Sequence, residues 1–246
     1  MDSLHETVER VLSLSLADAC IVVASQSSTA NVRWANNTST TNGSVTSHEL
    51  FIVSVIDKRV GTVGVTYFPD DRLESLVRQS EAACSGKPEA EDYMPLVEGV
   101  GASPDWAATV PATGVEVFGD VATALGKAME QAESAGTKLF GYAEHTTSTT
   151  WLATSAGVRR RHTQPDGRLE INAKTPDLTR SAWTGQATGD FADVDLASLY
   201  DRLEERLRWS ARSIELPPGR YQVLLEPSAV ADMLVYAYWS ASARDA

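Results

Sequence analysis

The chain has 246 residues, with 33 acidic against 21 basic side chains and a formal net charge of −12. Such an acidic balance argues against a phosphate backbone as direct partner, since no broad basic field is available to neutralise it. With 43% hydrophobic residues the chain can form one large domain or two small ones, yet no apolar run reaches the roughly 18–20 residues that a bilayer span needs, so no membrane partner is expected. The opening Met1-Asp2-Ser3-Leu4-His5-Glu6 lacks the basic and apolar blocks of a secretory leader. Cys20 and Cys84 each sit in an apolar periodic segment and read as reduced, buried thiols, which points to the cytoplasm.

Leu4, Val8, Val11 and Leu12 recur at helical spacing behind Ser3, so residues 3–16 predict a helix. Strands are expected at Ala19–Ala24 and Asn31–Ala35, and the polar run from Asn36 to Ser47 reads as a loop. Leu50–Ile56 and Arg59–Phe68 predict a hairpin across Asp57-Lys58, and Pro69-Asp70-Asp71 opens a helix with Leu73, Leu76, Val77 and Cys84 on one stripe. Residues 85–116 carry Pro88, Pro95, Pro104 and Pro111 with an acidic cluster at 89–92, and predict a long surface connection, either a linker between half-domains or a lid or docking segment. The same order then repeats. A helix is expected over 119–135, then strands at 138–143, 150–155, 158–162, 169–173 and 181–187, then an amphipathic helix over 194–213 with Leu196, Leu199, Leu203 and Leu207 inside.

This pattern predicts an α+β fold built of two helix–antiparallel-strands–helix units, with a mainly antiparallel sheet and flanking helices. The expected organisation is a first unit over 1–84, a Pro/Gly-rich connection over 85–116, a second unit over 117–215, and a strand and apolar helix over 216–246 leading to a C-terminal domain. The helix that Pro227 opens is apolar nearly all round, through Val230, Met233, Leu234, Val235, Tyr236, Tyr238 and Trp239, and such a helix seeks cover. Met233, Tyr236 and Trp239, with Trp106 of the connection, are therefore the candidate interface residues.

The residues offer little chemistry. His5, His48, His145 and His162 form no HExxH or HExxxH spacing, and the two cysteines have no zinc spacing. Glu144-His145 are strand neighbours, whose side chains point to opposite faces. No P-loop, GxGxxG or GxSxG is present, and the hydroxyl-rich runs Ser25–Thr29, Thr38–Ser47 and Thr146–Thr150 read as turns without a base beside them. No catalytic, cofactor-binding or metal-ligating residue is assigned. The basic run Arg159-Arg160-Arg161-His162 reads either as a contact for an acidic partner or as alternating charge on a solvated or edge strand.

Three places resemble the N-terminal part of the TldD/PmbA family, and within it the TldE/PmbA branch. They are Arg33-Trp34-Ala35-Asn36-Asn37 with the loop after it, Trp151-Leu152-Ala153-Thr154-Ser155-Ala156-Gly157-Val158, and Gly219-Arg220-Tyr221-Gln222-Val223-Leu224-Leu225-Glu226-Pro227-Ser228-Ala229-Val230. The resemblance implies a cytoplasmic TldD/TldE metallopeptidase system acting on unfolded peptides, whose members are also described as modulators of DNA gyrase. In that family TldD-like subunits carry zinc on an HExxxH helix with a later cysteine, while TldE-like subunits lack the ligands and pair with them. This chain holds no such motif. The resemblance therefore implies a non-catalytic region without a cofactor of its own, with zinc in a TldD-like partner subunit and unfolded peptide as substrate. Two alternatives stand beside it: the front part of an active metallopeptidase with ligands beyond Ala246, or a free-standing peptide-binding or scaffold module.

Overall fold

The computed structural model describes residues 3–241, so Met1, Asp2 and the last five positions of the 216–246 region lie outside the described residues. In chain order the elements are α1 (Leu4–Leu14), β1 (Ala19–Ala35), β2 (Thr38–Ile56), β3 (Arg59–Val65), α2 (Leu73–Ala82), α3 (Gly119–Ala135), β4 (Lys138–Thr154), β5 (Arg159–Lys174), β6 (Ser181–Thr188), α4 (Leu196–Trp209) and α5 (Pro227–Ser240). Contacts divide the chain into two compact units, Met1–Ala211 and Arg212–Ala246.

The first unit is α+β, as the sequence pattern predicts. Its strands make one antiparallel sheet in the order β3-β2-β1-β4-β5-β6. The groups β1–β3 and β4–β6 each follow one another as hairpins and meet at the β1–β4 ladder, so both helix–strands–helix groups share one sheet. Two tight turns set the first group. Asn36-Asn37 and Asp57-Lys58 all have positive φ, the conformation a two-residue hairpin needs to match strand twist. Asn37 also fixes its turn from outside: its side chain donates to the Thr137 carbonyl at 2.9 Å and accepts from the Leu139 amide at 2.7 Å.

The strands are longer than the sequence reading expects, and the correction falls on the hydroxyl-rich runs. Ser25–Thr29 and Thr146–Thr150 are the middles of β1 and β4, and the expected loop at 36–47 is mostly the first half of β2. Threonine suits a pleated strand, and the hydroxyls satisfy one another across the ladder. Ser25 pairs with Thr150 at 3.0 Å, Ser27 with Ser148 at 2.8 Å, and Thr29 with Thr146 at 2.9 Å. A run of 17 residues such as β1 extends roughly 55 Å, enough for two helix pairs to lie side by side on one face.

Two cores result. α1 and α2 close one around Val8, Val11, Leu50, Ile52, Leu73, Leu76 and Trp151. α3 and α4 close the other around Trp34, Leu125, Leu139, Leu169, Ile171, Leu199 and Leu203. α2 approaches the sheet closely: a side chain at Gly61 would place its first carbon 2.0 Å from the Ser80 carbonyl oxygen, so only glycine fits. Between the cores the helix-side face of the sheet is polar, with Ser28, His145, Thr147 and Thr149 buried there. The connection over 85–116 covers this polar patch. The Thr113 amide donates to Ser28 Oγ at 2.8 Å, and Trp151 Nε1 donates to the Trp106 carbonyl at 3.0 Å. Cys20 and Cys84 are buried free thiols. In the second unit, residues 220–226 have no strand pairing, in place of the short strand expected there, and α5 opens on Pro227.

Candidate functional site

None of α1 to α4 packs on the sheet's second face. Its central rows are the three hydroxyl pairs, and beyond them lies a charged row. There Tyr142 donates to Glu170 at 2.9 Å, Arg168 lies 4.8 Å from the Tyr142 ring centre, and Arg168 pairs with Glu144 at 3.4 Å. Burial pushes the Tyr142 hydroxyl above the ordinary tyrosine range, and its hydrogen bond to the Glu170 carboxylate adds to the shift. Among the described residues this surface holds no nucleophile with a base aimed at it.

The chemistry of the edges is more informative, because a sheet edge presents unpaired N–H and C=O groups. The first half of β5, up to Asp166, has β4 on one side and no β6 on the other. Here the basic run acts: it lies on an edge stretch, as one sequence reading has it, but its charges are spent on the chain's own groups and not left in solvent. Arg159 grips Glu9 with two bonds, at 2.6 and 2.8 Å. Arg160 donates to the Gly101 and Val100 carbonyls at 3.0 and 2.9 Å. Arg161, whose side chain is 5% exposed, donates to the Asp105 carbonyl and carboxylate and to the Thr109 carbonyl. The Ser103 amide donates to the Arg159 carbonyl at 2.9 Å, so the connection itself covers the start of this edge. Arg160 and Arg161 fasten the chain's own connection, and Arg159 fastens α1. Pro165, with no amide hydrogen to offer, marks the rest of the stretch.

The other edges have guards as well. Lys87 Nζ donates to the Val60 carbonyl on β3 at 2.9 Å, and the Ala90 amide donates to the Lys58 carbonyl. On β6, Arg206 donates to the Trp183 carbonyl. β2 differs. β3 pairs with it only from Leu50 to Ile56, so residues 38–49 have β1 on one side and no strand among the described residues on the other. They are exposed apart from the half-buried Gly43 and His48, and contain no lysine, arginine or proline. Where β3 leaves β2, a groove of about 450 Å³ opens between Glu49, Phe51, Gly64, Val65, Thr66, Tyr67 and Arg72.

The residues assigned to an interface from sequence fall in both units. Trp106 is half-buried and packs against the core closed by α1 and α2. Met233, Tyr236 and Trp239 share α5 and are 62%, 73% and 79% exposed. The edge of β2 was missed because its Ser/Thr run reads as a turn. The signal that could have found it is threonine recurring through 38–46 directly after the Asn-Asn turn.

The donors present do not fit a zinc ion. Among the described residues no three His, Cys, Asp or Glu side chains gather in one place. His145 is held on both nitrogens, Nε2 donating to the Gly189 carbonyl at 2.9 Å and Nδ1 accepting from the Thr113 hydroxyl at 2.7 Å. His5 and His48 line one cavity of about 410 Å³ with Gln26 and Trp151, without a third ligand. No helix among the described residues is long and apolar enough to cross a membrane.

The class of the first unit is thus an open antiparallel sheet with α1 to α4 on one face and, among the described residues, no gathered metal-donor set. Residues 115–211, from the turn before α3 to the end of the first unit, match the PmbA/TldA metallopeptidase central domain. Over that stretch the chain is similar to the TldD/PmbA family. No curated protein matches the sequence. Solved structures share its fold. TldE from Thermococcus kodakarensis superposes with a TM-score of 0.66 at 13% identity, covering 85% of this chain and 48% of that one. A protein from Bacteroides thetaiotaomicron, described as a candidate modulator of DNA gyrase, gives 0.65 at 12% identity, over 85% and 50%. One from Thermotoga maritima with the same description gives 0.59 at 15% identity, over 85% and 48%. The chain spans about half the length of these structures.

Proposed function

We propose that this chain is the N-terminal region of a TldE/PmbA-like subunit in a cytoplasmic TldD/TldE zinc metallopeptidase system, and that it holds unfolded peptide without cutting it. The observation that carries the reading is the unguarded edge of β2 over residues 38–49. An extended peptide added there satisfies its backbone on that edge, and such pairing reads extension more than sequence, as a system acting on unfolded chains requires. The non-catalytic part rests on the lack of a gathered donor set and of any nucleophile–base pair among the described residues. Zinc and the bond-breaking step then belong to a TldD-like partner or to a C-terminal domain, with the exposed face of α5 available for that assembly. Two buried free thiols agree with a reducing compartment.

The test is fluorescence anisotropy of a labelled, unstructured twelve-residue peptide titrated with the purified chain, followed by chromatography of the mixture after incubation with added zinc. Binding without cleavage is expected. Cleavage by the chain alone would overturn the non-catalytic reading, and absence of binding would overturn the edge as a peptide site.

A further inference from the structure

The groove beside β3 lies in line with the free edge, and its position gives a bound peptide a direction and a preferred first residue. β3 runs antiparallel to β2, pairs last through Val65 opposite Leu50, and then turns away at Thr66 and Tyr67. A peptide that continues this line along residues 38–49, also antiparallel, begins where β3 ends. The Val65–Thr66 peptide fills the place opposite Glu49, so the bound peptide's first residue on the sheet's second face sits opposite Ser47, one pleat beyond Glu49. Side chains alternate along a strand, so that residue shares this face with Glu49 and Phe51. Phe51 is 48% exposed, and its ring leans over Gly64, where a side chain's first carbon would lie 2.7 Å from it. Tyr67, 65% exposed, forms another wall of the groove.

We infer that this groove is an end-pocket for an extended peptide, taking an apolar or aromatic side chain at the peptide's N-terminal end while the Glu49 carboxylate receives its terminal ammonium. The inference rests on the peptide-edge reading above and adds polarity and a first-residue preference to it. A second copy of the chain fits less well. Two-fold antiparallel pairing of the whole 38–49 segment sets the polar turn around Asn36–Thr38 of the other copy beside Glu49, which leaves the aromatic walls unfilled. Val45 would be the sole large apolar side chain in the paired segment, too little for a stable dimer.

Two unstructured twelve-residue peptides of Thr, Val and Ser, identical except for Phe or Asp at the first position and labelled at the C-terminal end, test it by anisotropy with the full chain. The Phe peptide should bind about tenfold more tightly, and acetylation of its N-terminus should weaken it. Phe51→Ser, at a half-exposed position and checked for an unchanged melting temperature, should abolish the difference between the peptides while both still bind. Equal binding of the two peptides by the native chain would overturn the end-pocket and leave the edge reading standing. No binding of either would remove both. A concentration-dependent dimer in sedimentation, dissolved by Val45→Lys and indifferent to peptide, would assign the edge to a second copy and overturn the inference.

Discussion

The start of β5 and the first half of β2 are both stretches where a long central strand outruns its neighbour, yet the chain treats them in opposite ways. Along β5, Arg159, Arg160 and Arg161 and residues 100–109 of the connection take up the exposed backbone and bury guanidinium groups in doing so. Along β2 a polar, uncharged ribbon ends at Glu49 beside an aromatic groove, with no strand paired to its outer side among the described residues. Edge protection here is a matter of a few named side chains, and its lack over one stretch is the observation on which the proposed peptide site rests.

The guarded edge can be broken most severely at Arg161. Its guanidinium is nearly buried, serves three acceptors on the connection, and lies 5.6 Å from the Trp151 ring centre. Arg161→Ala removes all three bonds, although the Asp105 carbonyl keeps the Ala108 amide, and should cost about 2 kcal/mol, read as a lower melting midpoint in urea. Limited proteolysis of that variant should cut first within residues 100–110.

A smaller effect is expected behind the guarded end of β2, where Glu81 ties α1 to α2. Its side chain is 10% exposed and accepts from the Leu16 amide at 2.6 Å and from Arg78. Burial raises its carboxyl, but the Leu16 amide, Arg78 and Ser15 together outweigh burial and hold it below its ordinary value of 4.5. A lowered folded value means that the stabilisation is fully present above 4.5 and is lost as pH falls through the folded value. Glu81→Gln should cost about 1.5 kcal/mol at neutral pH and flatten that acid limb in a pH series of thermal melts.

Lys87→Met removes the ammonium from the Val60 carbonyl. It should cost about 1 kcal/mol and open the β3 edge, seen as new self-association in sedimentation. On the free edge, Val45→Lys should leave stability within about 0.5 kcal/mol, because Val45 is 59% exposed, while peptide affinity falls about tenfold. That contrast between unchanged stability and lost binding is what separates the two edges.

Much of the fold is legible in the sequence wherever apolar periodicity speaks. α3 and α4 bury the side chains that their helical spacing selects, Leu125 and Ala128 on one and Leu199 and Leu203 on the other. The Asp57-Lys58 hairpin follows from length and composition. The middle of the sheet was not legible, because its strands pair hydroxyl to hydroxyl, as Ser27 does with Ser148, and no hydrophobic alternation survives there to mark them. The site shares that cause. An edge is defined by which neighbour is absent, and no local pattern in β2 records that β3 stops opposite Leu50. The arginine run was visible, but its acceptors are carbonyls of a connection about 50–60 residues away in sequence, beyond the reach of spacing arguments.

The most direct test of the unguarded edge is amide hydrogen exchange across residues 38–49, measured on the full chain alone and with the Phe-first peptide. The amides of this stretch that point away from β1 should exchange rapidly in the chain alone and slow about tenfold or more with peptide, while residues 159–166 stay unchanged. Protection of 38–49 already present in a monomeric sample, or exchange there that peptide leaves untouched, would contradict the account.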